Sequence, residues 1–183
     1  MTEMNQNVGD CILSDEEFMK FTRFCNAPMG DDHLRRGALL GYGEKKTQIS
    51  IGALVRIPPE NMGNNVLVGL YSYVNGKVTI GDDVLIGPHC SIVAGNHKFD
   101  PKTGCFSGRT NTERDDSIVI GRGCWLASNV TVTGGVRLGK ANLVCAGAVV
   151  TKSMPDYAIV AGIPARQVGR IDPETGEYIW FSK

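Results

Sequence analysis

Large aliphatic residues recur at every sixth position in two tracts of this chain. The first runs Met62, Val68, Val74, Ile80, Ile86, Ile92, and the second Ile120, Leu126, Val132, Leu138, Val144, Val150. The following residue is often small, as in Ile80-Gly81, Ile86-Gly87, Ile120-Gly121, Leu126-Ala127 and Leu138-Gly139. This period matches neither the 3.6 residues of a helical turn nor the alternation of one long strand. It fits a solenoid of very short strands, each pointing one large side chain inward from a flat face. The small residue leaves room where the backbone turns a corner. The fourth residue after the aliphatic one is often apolar too, at Val84, Cys90, Cys124, Val130 and Val136. Two inward side chains per hexad agree with alternation along a strand. Three hexads make one triangular coil, so residues 18 apart should stack.

The pattern changes outside these tracts. Residues 14–26 read as a short helix, with Ser14 as N-cap and Glu17 closing a capping box. Phe18, Phe21 and Cys25 share one of its faces, and Asn26 with Pro28 marks its end. An open coil exposes strand edges, so this helix is expected to cap the solenoid. Ile51-Gly52 and Ile57-Pro58 are out of phase with Met62, which makes the first coil irregular or gives it an insertion around Pro58-Pro59. Gly95 to Ser117 interrupts the repeat with a polar segment that packing does not call for, a usual mark of function. The repeat stops near Thr151, and a tail ending Tyr178-Ile179-Trp180-Phe181 is expected to fold back on the coils or on a neighbour. The expected organisation is a helical cap over 1–46, a β-helix over 47–170 with its insertion at about 95–117, and a tail over 171–183.

Composition narrows the partners. Lys plus Arg and Asp plus Glu both number 19, so the formal net charge is zero. No basic run exceeds two residues, at Arg35-Arg36 and Lys45-Lys46, which argues against non-specific nucleic-acid binding. The N-terminus lacks the basic flank and apolar core of a signal peptide, and no apolar stretch approaches membrane-spanning length. The expected location is the cytoplasm. The six cysteines form no Cys-x-x-Cys pair, and Cys90 and Cys124 fall on inward positions as small hydrophobes.

Of the three histidines, His33 lies in a polar connector and is expected in solvent. His89 precedes an inward position and should point outward, whereas His97 sits where the repeat breaks, in Gly95-Asn96-His97.

Around this histidine the chain resembles a known family. Ile80-Gly81-Asp82-Asp83-Val84-Leu85-Ile86-Gly87-Pro88 followed by Gly95-Asn96-His97 is similar to the hexapeptide-repeat acetyltransferases, nearest the galactoside and maltose O-acetyltransferase group. Ile120 to Val130, with Trp125, resembles that group's tryptophan-bearing coil. Ala146 to Pro155 and Ala161-Gly162-Ile163-Pro164-Ala165-Arg166 resemble its closing segment, so the likeness covers about residues 62–170. The resemblance implies an all-β, left-handed parallel β-helix, assembled as a homotrimer with acetyl-CoA between subunits and no metal. Ordinary crossover rules would favour the opposite hand. It also implies that His97 is the general base toward an acceptor hydroxyl, a role suited to imidazole. The Ser128 region would supply an oxyanion donor. Trp125 would flank the pantetheine arm, Ser128 and Ala146 would hydrogen-bond it, and Thr151, Lys152 and Arg166 would meet the adenosine and 3′-phosphate end.

Departures fall on the acceptor side. Asn75 stands where galactoside acetyltransferases carry a sugar-binding aspartate; it can hydrogen-bond a hydroxyl but offers no carboxylate. Asn75 and Tyr71 are the candidate acceptor contacts, the loop from Phe99 to Asp116 is long, and a second arginine is displaced to Arg170. The expected function is acetyl transfer from acetyl-CoA to a hydroxyl of a sugar or similar small acceptor. The alternatives are N-acetylation of an amino sugar or antibiotic-like acceptor and a non-catalytic solenoid. A γ-type carbonic anhydrase would need three zinc-binding histidines, a set this chain lacks.

Overall fold

The computed structural model describes residues 13–26, 31–110 and 114–182, with side chains described except at 21–26, 31 and 107–110. The chain divides into two compact units, Met1–Gly30 and Asp31–Lys183. In the first, α1 (Asp15–Asn26) begins with the expected capping box. Ser14 N and Oγ both donate to Glu17 Oε2, at 2.9 and 2.7 Å, and Glu17 N donates back to Ser14 Oγ at 3.3 Å. The Ser14 hydroxyl holds the Glu17 carboxyl below its ordinary range. Pro28, expected to end the helix, lies outside the described residues.

The second unit opens with α2 (Asp31–Gly37), whose His33 corrects the sequence expectation. His33 is buried rather than solvated, with Nδ1 3.4 Å from Ser50 Oγ. The cause is helical spacing: His33 and Gly37, four apart, are both buried. A Cβ on Gly37 would stand 2.0 Å from the Thr47 carbonyl oxygen, so the helix approaches the next segment closely. Burial, helped by the nearby Arg36, pushes the His33 pKa down. Residues 31–45 thus pack with the coils, whereas the sequence reading placed them in the cap.

The solenoid follows. Its first coil holds β1 (Gln48–Ile49) and β2 (Leu54–Arg56), and its second β3 (Leu67–Val68), β4 (Tyr73–Asn75) and β5 (Val78–Ile80). The third holds β6 (Leu85–Ile86) and β7 (Ser91–Val93), leaves for a hairpin of β8 (His97–Asp100) and β9 (Cys105–Thr110), and closes with β10 (Ile118–Ile120). Then come β11 (Trp125–Leu126), β12 (Thr131–Val132), β13 (Arg137–Leu138), β14 (Leu143–Val144) and β15 (Val149–Val150). The end is β16 (Ala158–Gly162), β17 (Ala165–Ile171) and β18 (Tyr178–Trp180). These strands form three faces: face I (β1-β3-β6-β11-β14-β16-β17-β18), face II (β2-β4-β7-β12-β15) and face III (β5-β10-β13).

Neighbouring coils pair in parallel at the predicted spacing of 18, as in Leu67↔Leu85, Tyr73↔Ser91 and Trp125↔Leu143. The first coil is one residue longer, since Gln48 pairs with Leu67 and Leu54 with Tyr73, whereas Met62 bridges Ile80 at 18. The extra residue therefore lies between Arg56 and Met62, the segment containing Pro58-Pro59. All twelve periodic aliphatic residues are buried in one continuous core, as are Cys90 and Cys124. Their thiols donate to the carbonyls of Ala127 and Gly139, at 3.1 and 3.0 Å.

Two segments differ from expectation. The described part of the polar insertion forms an antiparallel hairpin, with Phe99 and Phe106 meeting edge to face at 5.5 Å. The solenoid also outlasts Thr151, because β16 pairs in parallel with β14 on face I. Then β17 and β18 reverse direction, so the aromatic tail folds back onto the chain's own sheet.

Candidate active site

The insertion leaves at the corner between faces II and III. Ile118 pairs with Val78, 40 residues before it against the regular 18, so this coil carries 22 extra residues. Both ends of the excursion rest on the coil below: Ala94 N donates to Asn75 O at 3.0 Å, and Ile118 N to Lys77 O at 2.9 Å. His97 is the first residue of β8 and is exposed. Asn75 lies on the same edge, in register with Val93. Thr151 and Lys152 follow β15 at this edge, near the C-terminal end, and both are exposed.

A second group gathers on the edge between faces I and II. The register Leu126↔Val144 stacks Ser128 on Ala146, and Gly147 N donates to Ser128 O at 2.9 Å. Beyond Ala146 the same edge continues through Ala161, which pairs with Arg166. Arg166 is exposed, with Nη1 donating to Ala165 O at 2.9 Å. Trp125 stands three residues before Ser128 on the outside of face I, half exposed. Toward the N-terminal end the edge carries Tyr71, stacked on His89 with centroids 5.5 Å apart and planes 25° apart. Both residues hold left-handed turn positions, φ 54° and 59°, and both are exposed.

The predicted residues therefore fall into two clusters. Asn75, His97, Thr151 and Lys152 mark the II–III edge; Tyr71, Trp125, Ser128, Ala146 and Arg166 gather at the I–II edge. Face II, three residues wide, separates them by roughly 10 Å at about 3.3 Å per residue. Lys152 and Arg166, expected to read one phosphate group together, stand on different edges of a single chain. Arg170, the displaced arginine, has Nη1 3.8 Å from Asp172 Oδ2.

The base of the hairpin holds a residue that sequence reasoning passed over. Asp116 is 7% exposed, and its Oδ2 accepts a hydrogen bond from Asn96 Nδ2 at 3.2 Å. Only its place at the end of the insertion could have signalled it. Among the described residues no three His, Cys, Asp or Glu side chains come together as a metal-binding group.

No protein-family model matches the chain. It is 31% identical over 125 residues to the galactoside O-acetyltransferase of Escherichia coli, covering 63% of this chain and 59% of that relative. It thus spans about three-fifths of that relative's length. It is 29% identical over 167 residues to WbbJ of the same organism, a candidate lipopolysaccharide biosynthesis O-acetyl transferase, covering 85% and 84% of the two chains. Among solved structures it is similar to a maltose O-acetyltransferase from Clostridium difficile, with a TM-score of 0.59, 24% identity and 86% of each chain covered. That likeness gives the fold as the left-handed parallel β-helix.

Proposed function

We propose that the chain is a hexapeptide-repeat acetyltransferase, which moves an acetyl group from acetyl-CoA to a hydroxyl of a sugar-like acceptor. The relatives named for galactoside and lipopolysaccharide O-acetylation support this acceptor class. The observation that carries the reading is the position of His97, exposed where the solenoid opens into the hairpin. Its imidazole takes the proton of the acceptor hydroxyl as that oxygen attacks the thioester carbonyl. A tetrahedral oxyanion forms, held by a donor near Ser128. Its collapse breaks the carbon–sulfur bond, and the imidazolium returns the proton to the departing thiolate. The products are the acetyl ester and free coenzyme A.

On the coenzyme side, Trp125 flanks the pantetheine arm and the stacked pair Ser128 and Ala146 lines it. Arg166 extends that edge toward the 3′-phosphate, where a charge-assisted contact suits the dianion. Thr151 and Lys152 approach from the opposite edge, and Asn75 and Tyr71 face the acceptor. The two edges of one chain stand a face apart, so the site is assembled between subunits of a homotrimer, His97 coming from one and the Trp125–Arg166 edge from the next. A row of outward apolar residues in register on face I, Leu67, Leu85, Trp125 and Leu143, supports such an association.

The test incubates the purified protein with acetyl-CoA and a panel of sugars and amino sugars, following release of free thiol. Acceptor-dependent release with a hydroxyl sugar is expected. Release only with amino sugars would move the reading to N-acetylation. Coenzyme binding with no release for any acceptor would point to a non-catalytic solenoid.

A further inference from the structure

The neck of the hairpin carries a polar clamp that the solenoid's packing does not require. The register Val119↔Arg137 aligns Asp116 with Gly134, so the coil above offers Asp116 a glycine at this corner. The fit is close: a Cβ on Gly134 would stand 3.0 Å from Asp116 Cβ and 3.2 Å from its carbonyl oxygen. A small apolar residue would occupy the slot without any charge to desolvate, yet the chain buries a carboxylate in it. Asp116 Oδ2 holds Asn96 Nδ2 at 3.2 Å, and Oδ1, which accepts no hydrogen bond, faces Arg114 Nε at 3.4 Å. Asn96 is the last residue before β8 and the immediate neighbour of His97, whereas Asp116 closes the returning arm. One hydrogen bond therefore ties the exit of the excursion to its return.

We infer that Asp116 is a positioning residue, which fixes the direction in which the hairpin leaves the solenoid and, through Asn96, the place of His97. The inference rests on the proposed role of His97 as base. Beyond the Phe99–Phe106 contact, the described side chains of the hairpin are mostly exposed, so no packed face among them sets that direction. The clamp supplies it from the rigid side, because Asp116 is buried against Gly134 of the coil above.

The experiment compares the wild-type trimer with D116A, N96D and the reversed pair N96D/D116N. Hydrogen exchange of the amides in 97–110 is measured beside steady-state kinetics. D116A removes the acceptor, and N96D sets two carboxylates against each other; the reversed pair restores a carboxylate–amide contact with donor and acceptor exchanged. Because a misplacement of about 1 Å can cost about 10²-fold in rate, D116A and N96D should lower kcat by about 10–100-fold. The KM for acetyl-CoA should stay unchanged, and exchange in the hairpin should quicken. The reversed pair should recover most of both losses, which a merely structural role for either residue would not produce. Unchanged hairpin protection and kcat in N96D, or a folded reversed pair as impaired as N96D, would overturn the inference. Asn96 is exposed, so these two variants decide the matter even if D116A fails to fold. If the wild-type protein transfers no acetyl group, the proposed function fails while hydrogen exchange still tests the clamp.

Discussion

At the residue scale, what a side chain can do here depends on whether the repeat points it in or out. His97 lies outside the repeat, exposed at the start of β8, and so is free to meet an acceptor. General-base loss typically costs about 10²–10⁴ in rate. His97→Ala should therefore cut turnover by that order while leaving acetyl-CoA affinity near the wild-type value by calorimetry. Near-full turnover would remove His97 from the mechanism. The thiols respond to the same in-or-out rule. Burial pushes the Cys124 thiol up to about 11 and raises that of Cys90, whereas Cys105 is exposed in the hairpin. Because the thiolate is the reactive form, alkylation at pH 8 followed by peptide mass analysis should label Cys105 and spare Cys90 and Cys124 until denaturant is added. Early modification of Cys124 would mean that the coils open locally.

At the scale of elements, stability comes from how closely successive coils approach at the corners. A Cβ on Gly121 would stand 2.6 Å from both the carbonyl carbon and the oxygen of Gly139, backbone atoms that cannot step aside. At Gly147 a Cβ would meet open space, and the only obstacle is a φ of 71°. Gly121→Ala should accordingly cost about 3 kcal/mol, as overpacking does, and Gly147→Ala about 1 kcal/mol. Urea unfolding measures both, and equal losses would mean that corner conformation rather than coil spacing governs these sites. This spacing is also why the coils were legible in the sequence: each hexad repeats one local packing problem, so Met62 through Val150 announced their burial. The hairpin read only as a polar interruption because its described side chains bury no face of their own. His33 was misread for the opposite reason. Most of its neighbours are charged, and its burial depends on packing against β1 and Ser50, 15 to 17 residues away, which no local pattern reveals. Asp116 had only its place at the end of the insertion to mark it, since its burial depends on Gly134 in the next coil.

At the scale of the whole molecule, the site residues predicted from sequence divide between two edges of one chain. The histidine edge and the coenzyme edge are a face apart, so in the proposed trimer each site joins His97 of one subunit to Arg166 of the next. That arrangement can be separated from a site built within one subunit by mixing two inactive parents. On the proposed roles, His97→Ala lacks the base but keeps the coenzyme edge, whereas Arg166→Ala keeps the base and should bind acetyl-CoA weakly. Co-expressed in equal amounts, the two chains assort into closed rings, and about a quarter of the interfaces pair an intact His97 with an intact Arg166. At acetyl-CoA concentrations below the wild-type KM, both parents should be nearly silent, since loss of uniform binding shows most clearly there. The mixture should then recover about a quarter of the wild-type rate. Mixed trimers of the expected mass that stay as silent as their parents would place both residues in one subunit's site and overturn the shared arrangement.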